Sequence, residues 1–289
     1  MIFSLNLSTK PTQIMITEIV NYFETIPSSH RSFILIGGIT LFWLIENGFP
    51  LIRFKYNKWE HAGINFFFTF TTILINFSLA FLLYKSSVFV SENKFGLIYW
   101  LHLDNLWLQA IIGLLFMDLI GAYTAHLVQH KTKPLWRYHL IHHTDTWIDT
   151  TTANRHHPGE SVIRFIFTVF AIIIVGAPIW LFFLYQSLSV FLSQFNHANM
   201  SLPKKLDKYI SYIIVSPDMH KIHHHYKLPY TDSNYGNIFS IWDRLFGTFM
   251  VMPTEELIYG VDTHMKPEEN NKLSNLLVIP FQKYRAPEN

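Results

Sequence analysis

Cysteine is absent from the 289 residues, which excludes a disulfide scaffold and any thiolate-ligated metal. Charge is scarce: 15% of residues are Asp, Glu, Lys or Arg, against about 25% in soluble domains. It also nearly cancels, with 22 Lys and Arg against 20 Asp and Glu for a formal +2, so nothing points to a nucleic-acid partner. No basic start followed by a short apolar core opens the chain, so no signal peptide is expected. In place of charge stand 17% aromatics, with 26 Phe, and 16 His. Length alone would allow about two domains. The apolar runs argue instead for one membrane-embedded, all-α unit carrying a polar cap.

A run of roughly 20 apolar residues can cross a bilayer as a helix. Three such runs lie at about Ser32 to Ile52, Ala62 to Tyr84 and Leu106 to His130. A fourth block, Ser161 to Phe195, is broken by Gly176-Ala177-Pro178; Pro178 removes a backbone donor and favours a turn. That block reads as a hairpin of two short spans, dipping into the bilayer or crossing it. Before the spans, Met15, Ile19, Tyr22, Phe23 and Ile26 recur at helical spacing and suggest an interfacial helix. Arg53, Lys55, Lys58, Lys131, Lys133, Arg137, Lys204, Lys205 and Lys208 then share one side, against Lys10, Arg31, Lys85 and Lys94 on the other. The positive-inside bias makes the first side cytoplasmic. The expected layout is an N-terminal segment (1–31), two spans with their loops (32–105), a catalytic region with the remaining spans (106–250), and a cytosolic tail (251–289).

Twelve of the histidines fall between His126 and His225. His126 and His130 form H-x-x-x-H. His139, His142 and His143 form H-x-x-H-H, as do His220, His223 and His224. On a helix these spacings bring imidazoles onto one face. A third span of about 25 residues is roughly 37 Å long, more than the ~30 Å hydrocarbon core. Its end, with His126 and His130, therefore projects past the lipid on the side predicted to be cytoplasmic. Neutral imidazole suits Fe, Zn, Cu and Ni. Two ions of four or five ligands each would use His126, His130, His139, His142, His143, His157, His197, His220, His223 and His224. Carboxylates should orient such rings; Asp118, Asp145, Asp149, Glu160 and Asp218 are available, and spacing does not choose among them. The lone His30, His61, His102 and His264 read as structural or solvated.

Several of these segments together resemble the sterol desaturase / fatty acid hydroxylase superfamily. They are Asp118 to His130, Leu135 to His143, Arg155-His156-His157-Pro158, Phe195 to Asn199, Pro217 to His224, and Asn234 to Phe249 with its Trp242-Asp243-Arg244 core. The resemblance implies an integral membrane enzyme with a His-rich di-iron centre, which uses O2 to hydroxylate or desaturate unactivated lipid C–H bonds. It also implies electrons from an external cytochrome b5 or ferredoxin-type donor, and metal-ligand roles for the ten histidines above. Leu127 stands where the family commonly has Arg, His156 where an aromatic is usual and His225 where a small polar residue is. The His156 departure leaves open which of His156 and His157 faces metal. O2 activation needs a redox metal with open positions, which zinc does not provide.

Within the last motif, Ile238 to Phe246 reads as an amphipathic helix closed by Gly247, a structural lid. His157-Pro158-Gly159-Glu160 superficially matches a haem-ligand motif of cytochrome b5 but lacks its surroundings, so an external donor is implied. A competing reading is a metal-binding membrane transporter; such sites usually sit near the bilayer midplane, whereas these histidines lie at span ends. A haem-b carrier would need His pairs within the spans.

Overall fold

The computed structural model describes residues 11–287 and is all-helical; among these residues only isolated bridges, such as Pro50 with Met200 and Ile214 with Phe239, interrupt the pattern. The signal-peptide expectation rests on the first ten residues and lies outside that range. Helix α1 (Pro11–Glu24) leads into α2 (Ser28–Gly48) and α3 (Lys58–Glu92). Asn57 starts α3 by accepting from the backbone N–H groups of Trp59 and Glu60, which would otherwise lack partners. At 1.5 Å per residue α3 is about 52 Å long, well beyond the hydrocarbon core. Helix α4 (Leu106–Lys131) runs back and is wound as a π-helix over Leu119–Thr124. Among the described residues, four helical stretches are long and apolar enough to cross a membrane: Ser28–Gly48, Lys58–Trp100, Leu106–Lys131 and Pro158–Val175. Their outer faces carry exposed Phe33, Ile36, Phe77 and Phe81. Such a band is stable against lipid rather than water.

The broken fourth block becomes α6 (Pro158–Val175) and α7 (Ile179–His197), with α5 (Lys133–His143) preceding them. Gly176 adopts φ +74° and closes α6, a conformation that glycine reaches without strain. This turn meets the loop between α3 and α4: a Cβ at Gly96 would lie 2.3 Å from the Gly176 nitrogen, and Ser87 Oγ donates to the Ala177 carbonyl. The hairpin thus reaches the end of the bundle that the α3–α4 connection occupies. Its two helices span about 27 and 28 Å.

Helix α1 buries Ile16, with Ile19, Val20 and Phe23 packed against the main core. The expected stripe is therefore rotated: Met15 and Tyr22 are exposed, and Ile16 takes the inward position. The C-terminal residues pack on the cap through Val261, Leu276 and Ile279, which meet Phe68, Leu140 and Ile141. The lid helix is shorter than its sequence suggests and covers only Ile241–Leu245. The reason is a bridge of this segment to Ile213–Val215: the Val215 N–H donates to the Ile238 carbonyl and the Ser240 N–H to the Ile213 carbonyl, which holds Ile238–Ser240 extended. Asp118 anchors the same segment, accepting from the N–H groups of Ile238 and Phe239 and from Trp242 Nε1 at 3.1–3.2 Å.

Candidate metal centre

Nine histidines converge in two adjoining groups at one end of the bundle. His126, His130, His139, His143 and His223 form the first, and His142, His197, His220 and His224 the second. Within each group one nitrogen per ring lies within 4.8 Å of every other. Two imidazole nitrogens opposite each other on one ion at about 2.1 Å would be about 4.2 Å apart. The groups touch: the His143 and His224 rings stack at 4.7 Å between centroids. The first group comes from the end of α4, from α5 and from a short helix α8 (Pro217–His223). The second adds the end of α7. Pro217 at the start of α8 and the Ser216 hydroxyl, which accepts from the Met219 N–H, place His220 and His223 on one face.

The protons on these rings are fixed by their outer partners. Carbonyl and carboxylate oxygens only accept, so each ring nitrogen facing one must donate. His126 Nδ1 donates to the Tyr235 carbonyl at 2.9 Å, and His223 Nδ1 to the Ser233 carbonyl at 2.6 Å. His197 Nδ1 faces the Ser193 carbonyl and Asn196 Oδ1, both at 2.7 Å. His139 Nδ1 donates to Glu160 Oε1 at 2.7 Å, and His130 Nδ1 to Asp232 Oδ1 at 3.2 Å. Five rings therefore turn a bare Nε2 lone pair inward. His126 Nε2 and His139 Nε2 lie 3.0 Å apart with no proton between them. His142, His220 and His224 all point Nε2 at the single lone pair of His197 Nε2, at 3.1–3.3 Å.

Such an arrangement repels itself unless a cation sits within it. His130 Nε2, His223 Nε2 and the Nδ1 atoms of His142, His143, His220 and His224 are buried without a hydrogen-bond partner. At about 1–3 kcal/mol for each unsatisfied group, the two bare Nε2 atoms of His130 and His223 alone cost about 2–6 kcal/mol, a large share of a domain's stability of about 5–15 kcal/mol. Burial and the neighbouring imidazoles hold His142, His143, His220, His223 and His224 well below the usual histidine range. The rings are neutral donors, and the donor set fits metal.

His157 joins neither group. Its ring caps α6, with Nδ1 accepting from the Gly159 N–H at 3.0 Å and Nε2 3.3 Å from the Leu277 carbonyl. Pro158 fixes that turn and aims the ring at the C-terminal segment. His156 faces the cluster instead, its ring 5.1 Å from that of His142 and its Nε2 3.8 Å from Glu160 Oε1. Burial lowers His156 to about 3. His225 turns away, accepting from the Ile258 N–H.

The ring-orienting carboxylates are Glu160 and Asp232. Asp118, Asp145 and Asp218 do not touch the cluster. Asp118 anchors Ile238, Phe239 and Trp242. Asp145 pairs with His61 at 2.8 Å and accepts from the Thr152 hydroxyl; although burial opposes its charge, His61 and Arg155 hold it well below the usual carboxylate range. Asp149 completes that network with His61 and Tyr56, and Asp218 meets Ser201. Of the lone histidines, His61 is thus structural, while His30 is held by the Tyr22 hydroxyl at the surface. Asp232 had no spacing signal. It precedes the Asn234 motif on a short 3-10 turn, Tyr230–Asp232, and only the fold brings it to His130. Leu127 packs against the cluster of Tyr123, Tyr235 and Trp242.

A gap of about 20 Å³ opens against His126, His139, His142, His197 and His220, with Arg164 on its wall. It has room for about one water. Beyond Arg164 lies a cavity of about 120 Å³ between α3, the π-helical segment, α6 and α7.

Residues 110–248 match the family model described as fatty acid hydroxylase. Among curated proteins, the ornithine lipid hydroxylase OlsE of Rhizobium tropici is 28% identical over 141 residues, 49% of this chain and 41% of that protein. Alkylglycerol monooxygenase of Danio rerio is 30% identical over 159 residues, covering 55% and 33%. A cholesterol 25-hydroxylase-like protein of Danio rerio is 27% identical over 124 residues, covering 43% and 48%. The chain thus spans less than half the length of each of these relatives. No solved structure matches.

Proposed function

We propose that this chain, whose residues 110–248 match the fatty acid hydroxylase family model, is an integral membrane di-iron oxygenase acting on a lipid C–H bond. The observation that carries the reading is the convergence of nine neutral imidazoles in a group of five and a group of four. Each group would hold one iron, and the His156 ring stands 5.1 Å from that of His142 beside the second group. Iron supplies the redox centre at which O2 is reduced; zinc would not. O2 takes two electrons from an external cytochrome b5 or ferredoxin-type donor, two protons from solvent, and two electrons from the C–H bond. One oxygen atom leaves with the two protons as water, and the other is inserted into the C–H bond to give the alcohol. The relatives' names, hydroxylase and monooxygenase, favour oxygen insertion over desaturation.

The protein's own residues do the rest. Glu160 and Asp232 hold His139 and His130 in one tautomer; the Glu160 carboxylate would offset part of the charge of two divalent ions, while Asp232 is also paired with Lys131. The carbonyls of Tyr235, Ser233 and Ser193 do the same for His126, His223 and His197 without charge. The small gap excludes bulk water, which protects reactive oxygen species from side reactions. The histidine end of the bundle faces the cytoplasm, on the Lys/Arg asymmetry of the loops, where a soluble or membrane-anchored donor reaches it.

The test is oxygen uptake by the full chain, loaded with Fe(II) in lipid vesicles and supplied with reductant, on addition of ornithine lipid, alkylglycerol or sterol. The expected result is uptake coupled to a product carrying one atom of 18O from labelled O2. Uptake that no lipid stimulates would overturn the reading.

A further inference from the structure

Arg164 is a cation inside an apolar span. It sits six residues past Pro158 on α6, about 9 Å along the helix axis. Its guanidinium makes no hydrogen bond or ion pair among the described residues. The nearest carboxylate along the helix, Glu160 one turn earlier, gives its Oε1 to His139 and attracts Arg164 only from beyond 4.0 Å. Charge at membrane depth is expensive, and it is ordinarily paired or faces a functional cavity. Arg164 faces two: the one-water gap against the histidines and the 120 Å³ cavity behind it.

The larger cavity is graded. At its histidine end it is lined by His156, Ser161, Arg164 and Ser189, while Leu83 and Phe182 lie toward the far end of the bundle. Asn76 and Gln186 add amide groups between them. The wall of α4 is its π-helical segment, where Gly121 keeps the Tyr185 hydroxyl clear: a Cβ there would lie 3.3 Å from that oxygen. π-Helical turns often mark functional sites. The shape suits an amphiphile whose head lies at the histidine end and whose chain runs into the bundle.

We propose that Arg164 binds an oxyanion of the substrate, a carboxylate or a phosphate, and so selects a lipid whose oxidised carbon lies within a few bonds of that anion. The one-water gap between Arg164 and the imidazoles limits that separation. A planar guanidinium suits both oxyanions through paired hydrogen bonds. Gln186 and Asn76 supply further donors without charge. This specificity rests on the oxygenase reading, but anion binding itself needs neither iron nor turnover.

The experiment therefore measures binding to the full chain in nonionic detergent, loaded with zinc in place of iron so that the histidines are held and no turnover occurs. The probes are radiolabelled dodecanoate, dodecyl phosphate and dodecanol, tested on wild type, Arg164→Gln and Arg164→Lys. Wild type is expected to bind at least one of the anions about tenfold or more tighter than dodecanol. The better anion identifies the head group. Arg164→Gln should lose that preference while keeping its dodecanol affinity, thermal midpoint and iron uptake, and Arg164→Lys should keep part of it. Equal binding of all three probes by wild type would overturn the proposal, as would an undiminished preference in Arg164→Gln. So would an Arg164→Gln variant altered only in iron uptake, which would make the arginine a partner of Glu160. Failure of the oxygenase reading shows separately, as absence of oxygen uptake by the iron-loaded wild type with every lipid.

Discussion

At the scale of single residues, the centre is organised by what lies behind the histidines. A neutral imidazole is an ambiguous ligand until one nitrogen is committed elsewhere. Glu160 and Asp232 make that commitment for two rings, and backbone carbonyls make it for three more. Glu160→Ala and Asp232→Ala are each expected to weaken iron binding about 10–100-fold, read by competition against a chelator, with the helical content unchanged. An unaltered affinity would mean the rings need no orientation. The histidines were legible because H-x-x-x-H and H-x-x-H-H place rings on one helical face, which is local geometry. Their partners were not. Asp232 reaches His130 across 102 positions, and the choice of Glu160 over Asp118, Asp145 and Asp218 depends on packing that no spacing encodes. His157 was not separable from His156 because adjacency says nothing about direction: the His157 ring caps α6 and meets the Leu277 carbonyl, while His156 faces His142. Arg164 did carry a signal, a lone cation within an apolar run.

At the scale of elements, the α6–α7 hairpin and the π-helical turn of α4 position the site. The hairpin must return His197 to the cluster, so its far turn has to seat tightly. Gly96, at φ +104°, and Gly176 pack backbone against backbone there. Gly96→Ala is expected to cost about 1–3 kcal/mol for the backbone conformation alone, with more from the 2.3 Å approach. Lowered thermal stability together with weaker iron retention would show that the turn holds His197; full stability would show the turn to be slack. The hairpin itself was readable from Gly176-Ala177-Pro178. Its depth was not, because length alone does not separate a dipping pair from one that reaches the opposite end. The lid helix was over-read for a related reason: periodicity from Ile238 cannot reveal that Ile238–Ser240 bridges to Ile213–Val215.

At the scale of the molecule, the apolar helices, the polar end and the cavity between them describe a lipid-facing bundle with its chemistry at one boundary. The absence of cysteine makes the orientation directly testable. Single cysteines at Lys133 or Lys205 and at Lys94 are expected to label from opposite sides of sealed vesicles or cells, with Lys133 and Lys205 on the cytoplasmic side. Labelling of all three from one side would break the topology.

The most direct test of the whole account is the iron content of the purified full chain, measured beside two double variants. About two irons per chain are expected in wild type, one for each histidine group. About one should remain in His143→Ala/His223→Ala and about one in His142→Ala/His224→Ala. A wild type that saturates at one iron, or double variants that retain both, would contradict the two-metal centre.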